Sequence, residues 1–398
     1  MKTEVWNMAE RNLDFDQYVN RYGTRSVKFD FPEYFGKPKD ILPMWVADMD
    51  FKTSSYIVDA LNEALSFGVY GYSEGLDGYW EALKGWMKRR HDWDVEKEWL
   101  VKTPGIVFAI SQAVRAFTNE GDRVIIQTPV YYPFAKTVMQ NGRKVVRNSL
   151  VFKDNHYEID FEDFEKKIKD NDVKLFILCS PHNPVGRVWT EDELRRLGEI
   201  CIRNGVIVVS DEIHADFAME RKHTVFARLG EEFLNNSVIC TAPSKTFNLA
   251  GLQVSNIFIA NKELRENFKK ELTSTGYDEL SLPALVACEA AYTHGDEWLD
   301  KALKYIKDNA DYTRKYLEDN LPKIKLVKQE GLYLLWLDFR GLGLKDEEIN
   351  ERIVNGAKLW FDEGKMFGTE GEGFQRINVA CPRSTLIKAL ENLRKEFA

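Results

Sequence analysis

The chain has 398 residues, 44% of them hydrophobic and 30% charged, with a formal net charge of −8. That composition fits a folded globular protein of two or three domains, and the acidic balance argues against nucleic acid and anionic membrane as partners. Five widely spaced cysteines with no C-x-x-C pair exclude zinc and dithiol motifs and fit a reducing cytoplasm.

Met1 to Asn20 is polar and charged, so no secretory signal is expected there, and no window approaches ~18 consecutive apolar residues for a membrane span. From Asn12-Leu-Asp-Phe15 through Lys28-Phe-Asp-Phe31 the chain is aromatic and charged, an arm with short turns. Leu42 to Val46 is a short apolar segment ending in Ala47-Asp48. Ser54 to Phe67 carries Ile57, Val58, Leu61, Ala64 and Leu65 at helical spacing, and Gly68 stops it. Tyr70-Gly-Tyr72 follows in a glycine-rich loop. Gly78 to Arg90 is predicted to be a helix with Trp80, Leu83, Trp86 and Met87 inward, and Lys88-Arg-Arg90 its solvated end. A buried helix is predicted over Ile106 to Phe117, with Gly105 at its start. Backbone N–H groups there favour an anion, although a plain strand-to-helix turn has the same spacing. The phrase matches neither a P-loop nor G-x-G-x-x-G.

Arg123 to Ile126 is a strand, followed by the loop Thr128-Pro-Val-Tyr-Tyr-Pro133, and Lys144 to Val146 is another strand. Tyr131 could stack on a planar ring or line the core. His156 is expected in an exposed polar loop. Thr190-Glu-Asp-Glu193 is a capping box, opening a helix that ends at Asn204-Gly205. The next strand starts at once, an order that gives a parallel sheet.

Three apolar runs each end in a polar cluster. Leu175-Phe-Ile-Leu178 leads to Ser180-Pro-His-Asn-Pro-Val-Gly186, Val206-Ile-Val-Val209 to Ser210-Asp-Glu-Ile-His214, and Ser237-Val-Ile-Cys240 to the small-residue loop Thr241 to Gly251. Ligands of open α/β sheets bind outside the carboxyl ends of the strands, so Asn183, Asp211 and Lys245 are expected to meet at one edge. A lysine, an acid and an amide suit a Schiff base to pyridoxal phosphate. Taken singly, Lys245 is an ordinary surface lysine, Asp211 a turn residue and His214 a satisfied histidine at a helix start. From Leu285 a helical pattern runs to Leu321-Pro322 with a break near Gly295. Strand Leu332 to Phe339, helix Asp346 to Ala357, strand Phe374 to Ala380 and a final helix from Ser384 then give a small α+β unit. Gly364 to Gly373 is expected to be a mobile loop, and Arg383 a surface charge. Arg376, inward on its strand, needs an anion, either a core acid or a ligand carboxylate.

These phrases, with Leu42-Pro-Met-Trp-Val-Ala-Asp-Met-Asp-Phe51, Gly71-Tyr-Ser73, Ser244-Lys-Thr-Phe-Asn-Leu-Ala-Gly251, Gly331-Leu-Tyr-Leu-Leu-Trp336 and Phe374-Gln-Arg-Ile-Asn378, resemble the fold-type I pyridoxal-phosphate enzymes of the aspartate aminotransferase superfamily. Within it the chain is most similar to the cystathionine β-lyase-like C–S lyases called the MalY/PatB branch. The resemblance implies an α/β fold with a large, mostly parallel sheet domain (47–287), a smaller α+β domain (288–398) and an arm (1–46) packed on the small domain and a partner subunit. It implies Lys245, Tyr131, Asp211 and His214 as catalytic residues. The cofactor phosphate falls to Gly105, Ile106, Val107 and Ser244, its O3′ to Asn183, and Tyr72 reaches the phosphate of the other subunit. Substrate contacts fall to Arg376, Ala47 and Tyr72; no metal is implied. His214 stands where many aminotransferases carry tyrosine, and Gln253 where many carry arginine, which favours the lyase branch. The expected activity is β-elimination from L-cystathionine or a cysteine S-conjugate in a cytoplasmic homodimer. An aminotransferase is the alternative, and a binding protein that kept the fold is a third reading, disfavoured because a binder has no use for the lysine.

Overall fold

Strands of a sheet covered on both faces must be apolar on both sides, and the continuous apolar runs above are of that kind. The computed structural model describes residues 10–11 and 13–398; the expectations for residues 1–9 and Asn12 lie outside the described residues. Among the described residues, seven strands form the larger sheet. Their spatial order is Leu100–Thr103, Ser255–Phe258, Ser237–Thr241, Ile207–Asp211, Val173–Cys179, Arg123–Thr128, Lys144–Ser149. Ser255–Phe258 is antiparallel to both neighbours and the other pairs are parallel. Side chains alternate between faces. Val124, Ile126, Leu175, Ile177 and Val209 pack with Ile106, Ala109 and Ala113, while Ile125, Phe176, Leu178 and Val208 join Leu194, Leu197 and Trp86.

The crossover helix Glu191–Arg203 starts where Thr190 and Glu193 cap one another, Thr190 Oγ1 accepting from Glu193 N at 3.2 Å and Glu193 Oε2 from Thr190 N at 2.8 Å. It ends before Gly205, whose φ of 66° turns the chain back into Ile207–Asp211. The carboxyl ends of four adjacent parallel strands, from Arg123–Thr128 to Ser237–Thr241, therefore lie along one edge.

The smaller sheet is antiparallel, in the order Lys325–Leu326, Leu334–Asp338, Phe374–Asn378, Asp362–Glu363. It shares a core with Leu386, Leu390 and Leu393 of helix Arg383–Phe397. Helix Asp296–Asn320 is about 37 Å long at 1.5 Å per residue. It places Trp298, Ala302 and Ile306 in the core of the larger sheet and Ala310, Tyr316 and Leu317 in that of the smaller. Phe15 of the arm packs on Phe51 and Trp298, and Leu42–Pro43 pairs parallel with Leu359–Trp360.

Several local expectations are corrected. His156 lies in the short strand His156–Glu158, half-buried, with Nε2 3.3 Å from Glu330 Oε1. Arg89 and Arg90 are not merely solvated: both pair with Asp296 in the first turn of Asp296–Asn320. Gly364–Phe367 and Thr369–Gly371 are turns rather than a loose loop. Gly364 and Gly371 approach one another so closely that a Cβ on either would strike the other's backbone, which is why glycine stands there. Arg383 opens its helix as expected, but its Nε donates to Asn309 Oδ1 at 2.6 Å. Helix Asp346–Glu351 is α-helical for six residues and continues as a π-helical turn to Gly356. Lys245 sits in the short helix Pro243–Thr246 rather than in a loop.

Candidate active site

A cavity of about 500 Å³ opens at the carboxyl edge of the larger sheet. Ala47, Gly105, Ile106, Val107, Tyr131, Asn183, Asp211, His214, Ser244 and Lys245 all line it, so ten of the expected site residues meet in one place. Two do not line it: Arg376 stands beside it, and Tyr72 is fully exposed in the loop before helix Asp77–His91.

Strand ends and short turns deliver these groups. Asp211 is the last residue of its strand and accepts from Ile213 N at 3.1 Å. Burial pushes its carboxyl up to about 7, with the Ile213 bond and Lys245 opposing. Lys245 is half-buried, open to the cavity, and donates to Ala47 O at 2.7 Å. Burial lowers its pKa to about 8; Asp48 pulls it up, Arg376 down and Asp211 up. His214 is buried, its Nδ1 has no partner, and burial with the charges of Lys245 and Arg376 holds the ring neutral. Burial raises the Tyr131 hydroxyl, which stays protonated. Tyr131 N donates to Asn183 O at 3.1 Å, which ties the two loops together. Asn183 Oδ1 accepts from Arg376 Nη1 at 3.0 Å, leaving the amide nitrogen to donate.

Helix Ile106–Phe117 turns its N-terminal residues into the cavity. A Cβ on Gly105 would meet nothing within 4 Å, so an anion has room over the helix start. An anion cradle, a flat phenol, an amide donor, a buried acid and an amine in one cavity fit what pyridoxal phosphate requires.

Of the two readings left open for Arg376, the core acid is present: Arg376 is buried and its Nη2 pairs with Asp362. Sequence reasoning missed Asp362, although a carboxylate closing the apolar phrase Leu359-Trp-Phe-Asp362 is the signal that marked Asp211. It also missed Tyr333, whose hydroxyl donates to Ala47 O at 3.0 Å, and Asp48, whose charge acts on Lys245.

Comparison with known proteins identifies the family and the fold. Residues 39–393 match the family model for aminotransferase class I and II. Over 384 residues the chain is 46% identical to cystathionine beta-lyase PatB of Bacillus subtilis (strain 168), covering 96% of this chain and 99% of that one. It is 34% identical over 387 residues to protein MalY of Escherichia coli (strain K12), covering 96% and 98%. Among solved structures, cystalysin from Treponema denticola, which contains a pyridoxal 5′-phosphate cofactor, superposes with a TM-score of 0.93 at 40% identity, covering 96% and 98%. The PLP-bound C–S lyase from Staphylococcus hominis gives 0.90 at 32% identity, covering 97% and 98%. Matched almost end to end in sequence and in fold, with the lysine and acid at the sheet edge, the chain belongs to the aminotransferase class I and II family, the fold-type I enzymes.

Proposed function

We propose that the protein is a pyridoxal-phosphate-dependent carbon–sulfur β-lyase. It converts L-cystathionine or a cysteine S-conjugate, with one water, to pyruvate, ammonia and a free thiol. The observation that carries this reading is Lys245, a cavity amine of pKa about 8 bonded to a backbone carbonyl, in a chain 46% identical to a cystathionine beta-lyase. When bound, pyridoxal phosphate would supply an electron sink for the charge left at the substrate Cα by loss of the α-proton, so that a β-thiolate can be expelled.

Lys245 would hold the cofactor and, as a free amine, would take the α-proton of the substrate. A pKa of about 8 leaves part of the population unprotonated at neutral pH, as a general base requires. Asp211 would hold the ring nitrogen, where a cationic N–H would favour the charged carboxylate against the burial that raises its pKa. Asn183 donates to the phenolic oxygen. Gly105, Ile106, Val107 and Ser244 hold the phosphate, and Tyr131 stacks on the ring. Arg376 takes the substrate α-carboxylate, while Ala47 contacts the substrate. His214, held neutral by burial and by the charges of Lys245 and Arg376, keeps a free Nδ1 at the cavity wall for a hydrogen bond near the substrate. Tyr72, exposed in its own chain, reaches the site of a second copy in a homodimer. The same reading divides the chain into an arm (1–46), a cofactor domain (47–287) and a small domain (288–398), and places the enzyme in the cytoplasm. No helix among the described residues is long and apolar enough to cross a membrane.

The test is product analysis on purified holoenzyme. L-cystathionine without keto acid should yield pyruvate, ammonia and thiol in equal amounts. L-alanine with 2-oxoglutarate should turn over far more slowly, because alanine has no leaving group. Fast amino transfer without thiol release would make the chain an aminotransferase, the reading that the family description also allows.

A further inference from the structure

A guanidinium has five N–H bonds to give, and the folded chain has placed three of those on Arg376. Nη1 donates to Asn183 Oδ1 at 3.0 Å. Nη2 donates to Trp45 O at 2.9 Å and to Asp362, so both its hydrogens are committed. Nε is buried without a partner. A bidentate grip on a carboxylate needs two parallel N–H bonds from one edge of the fork. The two edges that offer such a pair are Nη1 with Nη2 and Nε with Nη2. Both include Nη2. A ligand carboxylate therefore obtains a bidentate grip only if Trp45 O or Asp362 gives up its hydrogen.

Asp362 is the partner able to yield. It is buried, and it lies directly across from Arg376 in the antiparallel pairing of Asp362–Glu363 with Phe374–Asn378. Two carboxylates on one buried guanidinium repel one another unless one is neutral. Burial already works against the charged form of Asp362, although Arg376 favours that form. Other charged or titratable groups acting there are few. Glu363 follows Asp362 on its strand and pairs with Lys37 of the arm at 3.6 Å, while Tyr131 and Tyr132 stay protonated through burial. The scaffold can restore the pair when the ligand leaves. Trp45 and Trp360 stack at 4.3 Å with planes 12° apart, tying the segment that offers Trp45 O to the one that carries Asp362.

Building on the reading of Arg376 as the substrate anchor, we propose that Asp362 is an internal competitor for that anchor, a positioning residue that yields Nη2 and takes up a proton when a substrate carboxylate binds. The proton comes from solvent and returns to it when the product carboxylate leaves. While the site is empty, the pair keeps the guanidinium charge compensated. In exchange, substrate affinity weakens as pH rises and Asp362 holds its charge more firmly.

Asp362→Asn in the holoenzyme keeps the shape and removes the competing charge. KM for L-cystathionine at pH 8 should fall roughly three-fold or more, with kcat changed less, and the rise of KM with pH should flatten. In the wild type, propionate, a carboxylate without an amine, should draw protons from weakly buffered solution as it binds, read with an indicator dye; the variant should draw none. A higher KM in a folded Asp362→Asn protein would overturn the proposal, because Asp362 would then only orient Arg376. Propionate binding without proton uptake in the wild type would overturn it too, and needs no variant to fold. If the wild type releases no thiol from L-cystathionine, the lyase reading itself fails; if it does, and Arg376→Lys raises KM steeply and so bears out the anchor, a failure here belongs to Asp362 alone.

Discussion

Lys28 and Lys245 are both withdrawn from solvent, and their surroundings are opposite. Lys28 Nζ lies 3.0 Å from each oxygen of Asp50 and 3.5 Å from Asp48. Arg21 bridges the same two carboxylates at 2.6 and 2.7 Å. Two cations and two carboxylates compensate one another, and the arm is pinned to the segment Asp48–Asp50. Lys245 has no carboxylate within ion-pair distance among the described residues; it donates to Ala47 O, one residue from that cluster. Burial without a paired charge lowers its pKa to about 8. A buried lysine given counter-ions is inert structure. One denied them is poised to lose its proton.

The largest difference between the two should appear in chemistry. Lys245→Ala should slow thiol release by roughly 10³-fold, within the range for loss of a general base. Borohydride should fix the cofactor to the peptide bearing Lys245 in the wild type and leave no label there in the variant. Label on any other lysine would break the comparison. Lys28→Met should instead show in stability. Removing one member of a buried ion pair costs about 3 kcal/mol when part of the compensation survives, and here Arg21 survives. Denaturant unfolding of the cofactor-free protein would measure this, and Lys28→Met with Asp50→Asn should lose less than Lys28→Met alone.

The acids repeat the contrast, since Asp50 is paired and Asp211 is not. Asp211 in the cofactor-free fold titrates near 7, against about 3.9 in an unfolded chain. Between those values the native state holds the extra proton, so its contribution to stability is present below pH 4 and lost as pH rises through 7. The melting temperature of cofactor-free wild type should therefore fall relative to that of Asp211→Asn as pH rises from 5 to about 7, and the two curves should run parallel above that. Curves parallel over the whole range would mean that Asp211 is charged throughout.

What could be read from the sequence was local or repeated. The capping box at Thr190 is complete within four residues, and Asn183, Asp211 and Lys245 each follow an apolar run, so parallel strands had to gather them. What could not be read depends on partners far along the chain. His156 looked exposed because Glu330 is 174 residues away, and Arg90 looked solvated because Asp296 is 206 residues away. Asp362 meets Arg376 only through strand register. The glycines of Gly364 to Gly373 suggested freedom, and the fold uses two of them for close backbone approach. Tyr72 is fully exposed and away from the cavity of its own chain, so the role proposed for it rests on the resemblance.

Asp48 is where the two lysines communicate, and it allows the finest test. Its carboxylate is held by Arg21 at 3.0 and 2.6 Å and lies 3.5 Å from Lys28. It is also the strongest influence raising the proton affinity of Lys245, against burial and Arg376. Asparagine keeps the shape and removes the charge, so the protonated amine loses a favourable neighbour. Arg21 and Lys28, no longer fully compensated, push the same way. Asp48→Asn should lower the Lys245 pKa from about 8 by about half a unit. Arg21→Met has the opposite sign, because it uncovers the Asp48 charge and should raise the pKa by a smaller amount. The measurement is the pH dependence of Lys245 trinitrophenylation in cofactor-free protein, followed on the Lys245 peptide. Midpoints that move apart in these directions would confirm that the arm's ion cluster sets the proton affinity of Lys245. Midpoints that move together would show that the variants act by shifting Ala47, the residue that holds the amine in place.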